Sequence, residues 1–135
     1  MPKLTHQQMI EQVKAMYAAL LSKDEAAMAV LLDPAFVLIE ADPLPYKGDW
    51  VGAKGCKDLI AAFSEKYYES WNVEVVDFSA SDERVVAHLQ FTTTGKTTGK
   101  SFSMPLCEVW KFKGDKLLEM RPFYWDVKLA GEVAG

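Results

Sequence analysis

An α+β domain is the fold class this sequence predicts, with three N-terminal helices packed on one face of a strongly curved, mostly antiparallel sheet. Three observations predict it. Apolar residues recur at helical spacing through Tyr67 and switch to alternation after Trp71. Turn formers at Ser79–Glu83, Gly95–Gly99 and Gly114-Asp115 divide the second half into long strands with short connections. Helices first and strands afterwards is the order that lays helices on one face of a sheet.

The elements follow in order. Thr5 with Gln8 forms a capping box, and Ile10, Val13, Tyr17 and Leu20 repeat at helical spacing, so residues 6–22 form an amphipathic helix. Ser22 with Glu25 repeats the capping signal for a short helix carrying Met28, Leu31 and Leu32. Asp33-Pro34 stops it, because proline has no amide hydrogen for the helical ladder. Phe36–Glu40 is a strand. Residues 42–52 are dense in turn formers yet hold Tyr46 and Trp50, as a loop at a pocket rim would. A third helix carries Cys56, Leu59, Ile60, Phe63 and Tyr67 on one face. Strands then cover Val73–Val76, Val85–Thr93, Ser101–Lys113 and Lys116–Trp125.

With 135 residues the chain is one domain, residues 1–135, without repeat or linker. Half of it is apolar and 25% is charged, which excludes the disordered and fibrous classes. A net charge of -4 and no basic stripe argue against nucleic acid as a partner. No signal-like or membrane-spanning stretch is legible, so no membrane partner and a cytoplasmic location are expected. Cys56 and Cys107 belong to no metal or redox spacing and read as small buried hydrophobes. No metal motif, dinucleotide fingerprint or nucleophile elbow occurs, so the expectation is no metal and no cofactor.

Alternation points to where chemistry can sit. Leu38, Glu40 and Asp42 share one side of their strand. Met104, Leu106, Glu108 and Trp110 form a second such set, and Met120, Pro122, Tyr124 and Asp126 a third. Each set is apolar with an acid in it. A carboxyl group on an apolar face resists ionisation and becomes a candidate acid or base near neutrality. Candidate catalytic residues are therefore Asp126, Glu108, Asp42 and Glu40. The pocket they would serve is lined by Tyr17, Leu38, Tyr46, Trp50, Phe63, Leu89, Phe91, Leu106, Trp110 and Tyr124. His88 alternates with Val86 and Gln90 and reads as an outward histidine.

Three segments resemble the nuclear-transport-factor-2-like superfamily and, within it, the SnoaL-like polyketide cyclase group. They are Leu44–Gly48 with Val51-Gly52, Gly99–Phe102, and Arg121–Asp126. The resemblance spans nearly the whole chain and implies a cone-shaped fold and a homodimer. Compared with ketosteroid isomerase, Asp42-Pro43 falls at the proton-shuttling Asp-Pro and Glu108 at the protonated acid. The oxyanion tyrosine falls by counting on Met16, one residue before Tyr17. Compared with limonene epoxide hydrolase, Asp126 matches the water-activating aspartate, but its arginine and acid partners correspond to Leu89 and Phe91.

Similarity to the cyclases leaves one acid/base in an apolar pocket, with Asp126 as first candidate and Glu108 as a proton relay. The partner expected is a small hydrophobic molecule, a carbonyl compound if the protein is an isomerase or cyclase. A non-catalytic binding protein and a dimerising domain are the alternatives.

Overall fold

The computed structural model describes residues 3–135. It contains α1 (His6–Ser22), α2 (Glu25–Leu31), β1 (Leu32–Glu40), β2 (Gly48–Val51) and α3 (Gly52–Ala62), which runs into one π-helical turn, Phe63–Tyr67. The remainder is β3 (Tyr68–Ala80), β4 (Arg84–Gly95), β5 (Ser101–Lys113), β6 (Lys116–Tyr124) and α4 (Val127–Ala134).

The start of α1 forms as the capping residues require. The Gln8 amide donates to Thr5 Oγ1 at 3.1 Å and the Thr5 amide to Gln8 Oε1 at 2.8 Å, which satisfies two donors that the helix leaves free. The cap of α2 is not Ser22, whose hydroxyl donates back to the carbonyls of Ala18 and Ala19. Asp24 takes that role by accepting from the Ala27 amide at 3.0 Å. Pro34 does not separate helix from strand, because β1 already begins at Leu32. Its register on β6 slips between Leu32 and Val37.

The strands form one six-stranded sheet in the order β2-β1-β6-β5-β4-β3. All neighbours are antiparallel except β1 and β6, whose parallel pairing is made across the long excursion from Ala41 to Asp115. This corrects the expected strongly curved cone. The sheet is open, with β2 and β3 as two edges that no ladder joins. Enclosure comes from helices laid on it: α1 and α3 cover the face bearing Phe36, Leu38, Leu89 and Trp110. The three N-terminal helices are present, and a fourth, α4, follows the last strand. Part of the rim loop is strand β2, paired with β1.

The fourth helix depends on a glycine. A Cβ on Gly95 would lie 1.9 Å from the Val133 carbonyl oxygen, and the Thr98 hydroxyl donates to that oxygen at 2.7 Å. Gly95→Ala is therefore expected to push α4 off the end of β4, at a cost of about 2–3 kcal/mol. Urea denaturation checks this, and an unchanged midpoint would show that α4 yields freely.

Candidate functional site

Strand register brings two acids to the same wall. Leu38 of β1 pairs with Met120 of β6, and continuing that register by two residues sets Glu40 beside Pro122. Glu108 of β5 pairs with Pro122 from the other side. Two strand spacings separate their backbones, about 9–10 Å. Both side chains point toward the helices, and Ala87, opposite Glu108 on β4, is small enough to leave space there.

That space is a cavity of ≈ 130 Å³ between sheet and helices. Its walls are Tyr17, Leu20 and Leu21 of α1, Leu59, Ile60 and Phe63 around α3, and Trp71, Val73, Val75, Leu38, Leu89 and Met120 of the sheet, together with Glu40 and Glu108. Leu21 and Val75 are 67% and 47% exposed, so the mouth opens between the end of α1 and β3. Neither lysine nor arginine reaches the lining.

The two acids are held differently. Tyr17 donates its hydroxyl proton to Glu108 Oε1 at 2.5 Å and accepts from Trp110 Nε1 at 2.9 Å. Burial pushes Glu108 up to about 7, against the opposing effect of the Tyr17 hydrogen bond. Its residual exposure is to the cavity that it lines. Burial also keeps the Tyr17 phenol neutral, and the facing Glu108 reinforces this, so Tyr17 stays a donor.

Glu40 is 5% exposed, and its Oε1 has no hydrogen-bond partner among the described residues. Burial first, and repulsion from Glu108 second, raise its pKa well above the carboxylate range, while the Tyr124 hydroxyl acts in the opposite direction. Like charges this close cannot both ionise cheaply. Burial and the neighbouring acid thus favour the protonated form of Glu40, while Glu108 sits near its midpoint at about 7. Glu40 Oε1 is buried without a partner, and the residue borders the cavity, where a ligand oxygen can take the carboxyl proton.

Removing the Tyr17 hydroxyl takes away the bond that favours ionised Glu108. In Tyr17→Phe the Glu108 carboxyl should titrate higher than in the wild type, as followed by carboxyl-carbon NMR. A midpoint that stays put or falls would show that Tyr17 does not hold the acid.

Of the candidate acids, the fold brings Glu40 and Glu108 together and leaves Asp42 and Asp126 outside. Asp42 is exposed and pairs with Lys47 at 2.9 Å. Asp126 is exposed too, accepting from the Leu129 amide at 2.9 Å as the N-cap of α4. Tyr17, Leu38, Phe63 and Leu89 line the cavity, whereas Tyr46, Phe91, Leu106 and Trp110 are buried core. Trp50 is half-buried and donates Nε1 to the Tyr46 carbonyl, and Tyr124 lies in a cluster of hydroxyls behind Glu40. His88 is exposed, as alternation indicates. Met16 is fully buried, and the next residue, Tyr17, faces Glu108.

Sequence reasoning missed Leu20, Leu21, Leu59 and Ile60 on the helices, and Trp71, Val73, Val75 and Met120 on the sheet. For Trp71, Val73 and Val75 the two-residue spacing was a usable signal. No group of three or more His, Cys, Asp or Glu that could hold a metal ion occurs among the described residues. Nor is any of their helices long and apolar enough to cross a membrane.

The family model described as SnoaL-like domain matches residues 13–120. Among solved structures, Bal32a from a soil-derived mobile gene cassette is similar at 21% identity and a TM-score of 0.82, covering 96% of this chain and 98% of that one. An NTF2-like protein from Burkholderia thailandensis E264 is 21% identical at a TM-score of 0.81, with 98% and 99% covered. TerC, co-crystallised with polyporic acid, is 17% identical at a TM-score of 0.77, with 94% and 98% covered. No curated protein matches the sequence.

Proposed function

We propose, for a chain that belongs to the SnoaL-like domain family, a cofactor-independent proton-transfer activity on a small, mainly apolar carbonyl compound. The observation that carries this reading is the pair of buried acids on one cavity wall, one with an unpartnered oxygen and one poised near neutrality. General acid–base catalysis needs such a pair within reach of one substrate.

The step balances without a further reactant. Ionised Glu108 takes a proton from the carbon beside the carbonyl, the C–H electrons form the C=C bond, and the carbonyl oxygen takes the proton of Glu40. Where a C=C bond is conjugated with the enol, return of the Glu108 proton at the far carbon of the dienol, with Glu40 recovering its own from the oxygen, gives an isomer. If the enol carbon instead attacks a second carbonyl in the same molecule, the new alkoxide oxygen takes the Glu108 proton, the enol O–H proton returns to Glu40, and the product is a ring.

The cavity sets the scale of what enters. Its ≈ 130 Å³ is close to the roughly 150 Å³ that accommodates a benzene-sized guest. One ring or a short branched chain fits. Two acids with no facing cation disfavour anionic ligands. The co-crystal of TerC with polyporic acid is a precedent for ligand binding by this fold.

The test is proton exchange. Single-ring ketones are incubated with the protein in heavy water, and loss of the signals from protons beside the carbonyl is followed by NMR. Exchange above the buffer rate is expected. Binding without exchange across the panel would replace the enzyme with a ligand-binding protein on the same cavity.

A homodimer is the second element of the reading. Phe123 and Trp125 are 57% and 80% exposed, and β6 directs Phe123 away from the cavity side that holds Tyr124. Large apolar side chains left in water, one on the sheet face and one in the turn just past it, favour burial against a second copy. Light scattering on the wild type and on Trp125→Ser tests it, and a wild-type monomer at high concentration would end it.

A further inference from the structure

The space beside the acids does not end at the cavity mouth. An open groove of ≈ 520 Å³ lies between α1 and β3, walled by Lys14, Tyr17, Val75, Val76, Asp77 and Phe78. Tyr17 and Val75 line both the groove and the cavity, so the two spaces adjoin across these side chains.

Two local features build the groove. On α1, Lys14, Tyr17 and Leu21 are spaced by three and four residues and therefore share one stripe of the helix. On β3, Val75 pairs with Leu89 and Asp77 with His88, so Val76 is an extra residue without a partner on β4. A bulge of this kind re-aims the side chains that follow it, and β3 is an edge strand, where bulges concentrate. By strict alternation Phe78 would leave the face that holds Val73 and Val75. With one residue inserted it pairs with Ala87 on that face, and its ring centroid lies 6.5 Å from that of Tyr17. Val76 stays 57% exposed.

The groove offers apolar surface and no unengaged charge. Lys14 Nζ lies 5.7 Å from the Phe78 ring centroid and 3.4 Å from Glu11 Oε1, while Asp77 Oδ1 accepts from the Phe78 amide at 2.8 Å. One cation and one anion, each already occupied, select for neither sign in what lies between them.

We propose that the substrate of the pocket is a ring ketone carrying a linear, uncharged alkyl chain, with the ring in the cavity and the chain laid along the groove over Val75, Val76 and Phe78. The cavity has room for one ring, so a longer molecule leaves through the mouth, and the apolar surface adjoining the mouth is this groove. A second copy of the chain is the competing occupant. Seated here it would cover the entrance that Leu21 and Val75 leave open, which favours the ligand. This inference rests on the proton-transfer reading of the cavity and adds the part of the substrate that does not react. Contacts to the chain are alike in the ground and transition states, so they lower KM without raising kcat.

The experiment uses cyclohexanone and a series of cyclohexanones with a linear chain opposite the carbonyl, from methyl to octyl. Binding is measured by calorimetry and proton exchange in heavy water by NMR. The expected result is that Kd and KM fall by about two- to fourfold per added methylene until the chain passes Phe78, with kcat constant. In Val76→Asp, a change at an exposed position, the dependence on chain length should flatten while unsubstituted cyclohexanone binds as it does to the wild type. Val76→Leu should retain the dependence. Exchange of cyclohexanone with no gain from any chain would overturn the groove and leave the proposed function standing. A gain that Val76→Asp does not reduce would overturn it too, by placing the chain elsewhere. Tighter binding along the series without exchange in any member would remove the proton-transfer reading and keep the groove as a ligand site. A dimer that Val76→Asp dissociates, with no gain from the chain, would give the groove to a second copy and end the proposal.

Discussion

Replacing Glu108 with glutamine is expected to cut proton exchange into a bound ketone by about 10²–10⁴-fold, with the fold intact. Glutamine keeps the size of the side chain and an oxygen for the Tyr17 hydroxyl, now donating at 2.5 Å, so basicity is what it loses. The wild-type exchange rate should rise as pH passes about 7, where Glu108 becomes ionised, and fall again where Glu40 loses its proton. In Glu40→Gln the fall should be smaller, since an amide still donates to a carbonyl oxygen without giving up a proton. Asp126→Ala should lose about 1 kcal/mol of stability with its helix cap and keep its exchange rate. Full exchange in Glu108→Gln would remove that residue from the mechanism. Loss in Asp126→Ala comparable to that expected for Glu108→Gln would return the base to the end of β6.

The same Glu108→Gln change should stabilise the protein at alkaline pH. Its carboxyl moves from an ordinary 4.5 to about 7 on folding, chiefly through burial. Between these values the folded state binds more proton than the unfolded one, so stability falls as pH rises through the window. Below 4.5 the buried group is neutral in both states and the penalty is absent. Above about 7 the penalty is complete, on the order of 3 kcal/mol. Glutamine does not ionise. Urea denaturation at pH 4 and pH 8.5 should show the variant equal to the wild type at the first and more stable by about 3 kcal/mol at the second. A difference that does not change with pH would mean that Glu108 is not desolvated. A protein that carries this cost at its working pH conforms to the general conflict between stability and a poised active site.

Much of the fold was legible because it depends on local chemistry. The capping box at Thr5, the apolar repeat of α1 and the Ser101–Lys113 strand appear where their residues put them. Alternation correctly grouped Glu108 with Leu106 and Trp110, and Glu40 with Leu38. It continued too far at both ends. Asp42 lies beyond the end of β1, in a turn with Lys47, and Asp126 lies beyond the end of β6, where it caps a helix. A face defined by a two-residue period exists only while the strand lasts. The helical signal of Asp126 with Leu129 and Val133 was available, but it competed with an aromatic strand running into it.

By itself the sequence determined an α+β chain, helices before strands, with acids among the apolar faces of β1 and β5, because periodicity and capping are properties of neighbouring residues. Only the tertiary structure decided that the sheet stays open, that α1 and α3 close the cavity over it, and that Glu40 and Glu108 meet across Pro122. Tyr17 and Glu108, 91 positions apart, are joined by a hydrogen bond. Tyr46, Tyr68 and Tyr124 likewise come from three separate elements. Strand order, register and helix docking bring such residues together, and the free energy behind them is burial summed over the whole core, which no local pattern encodes.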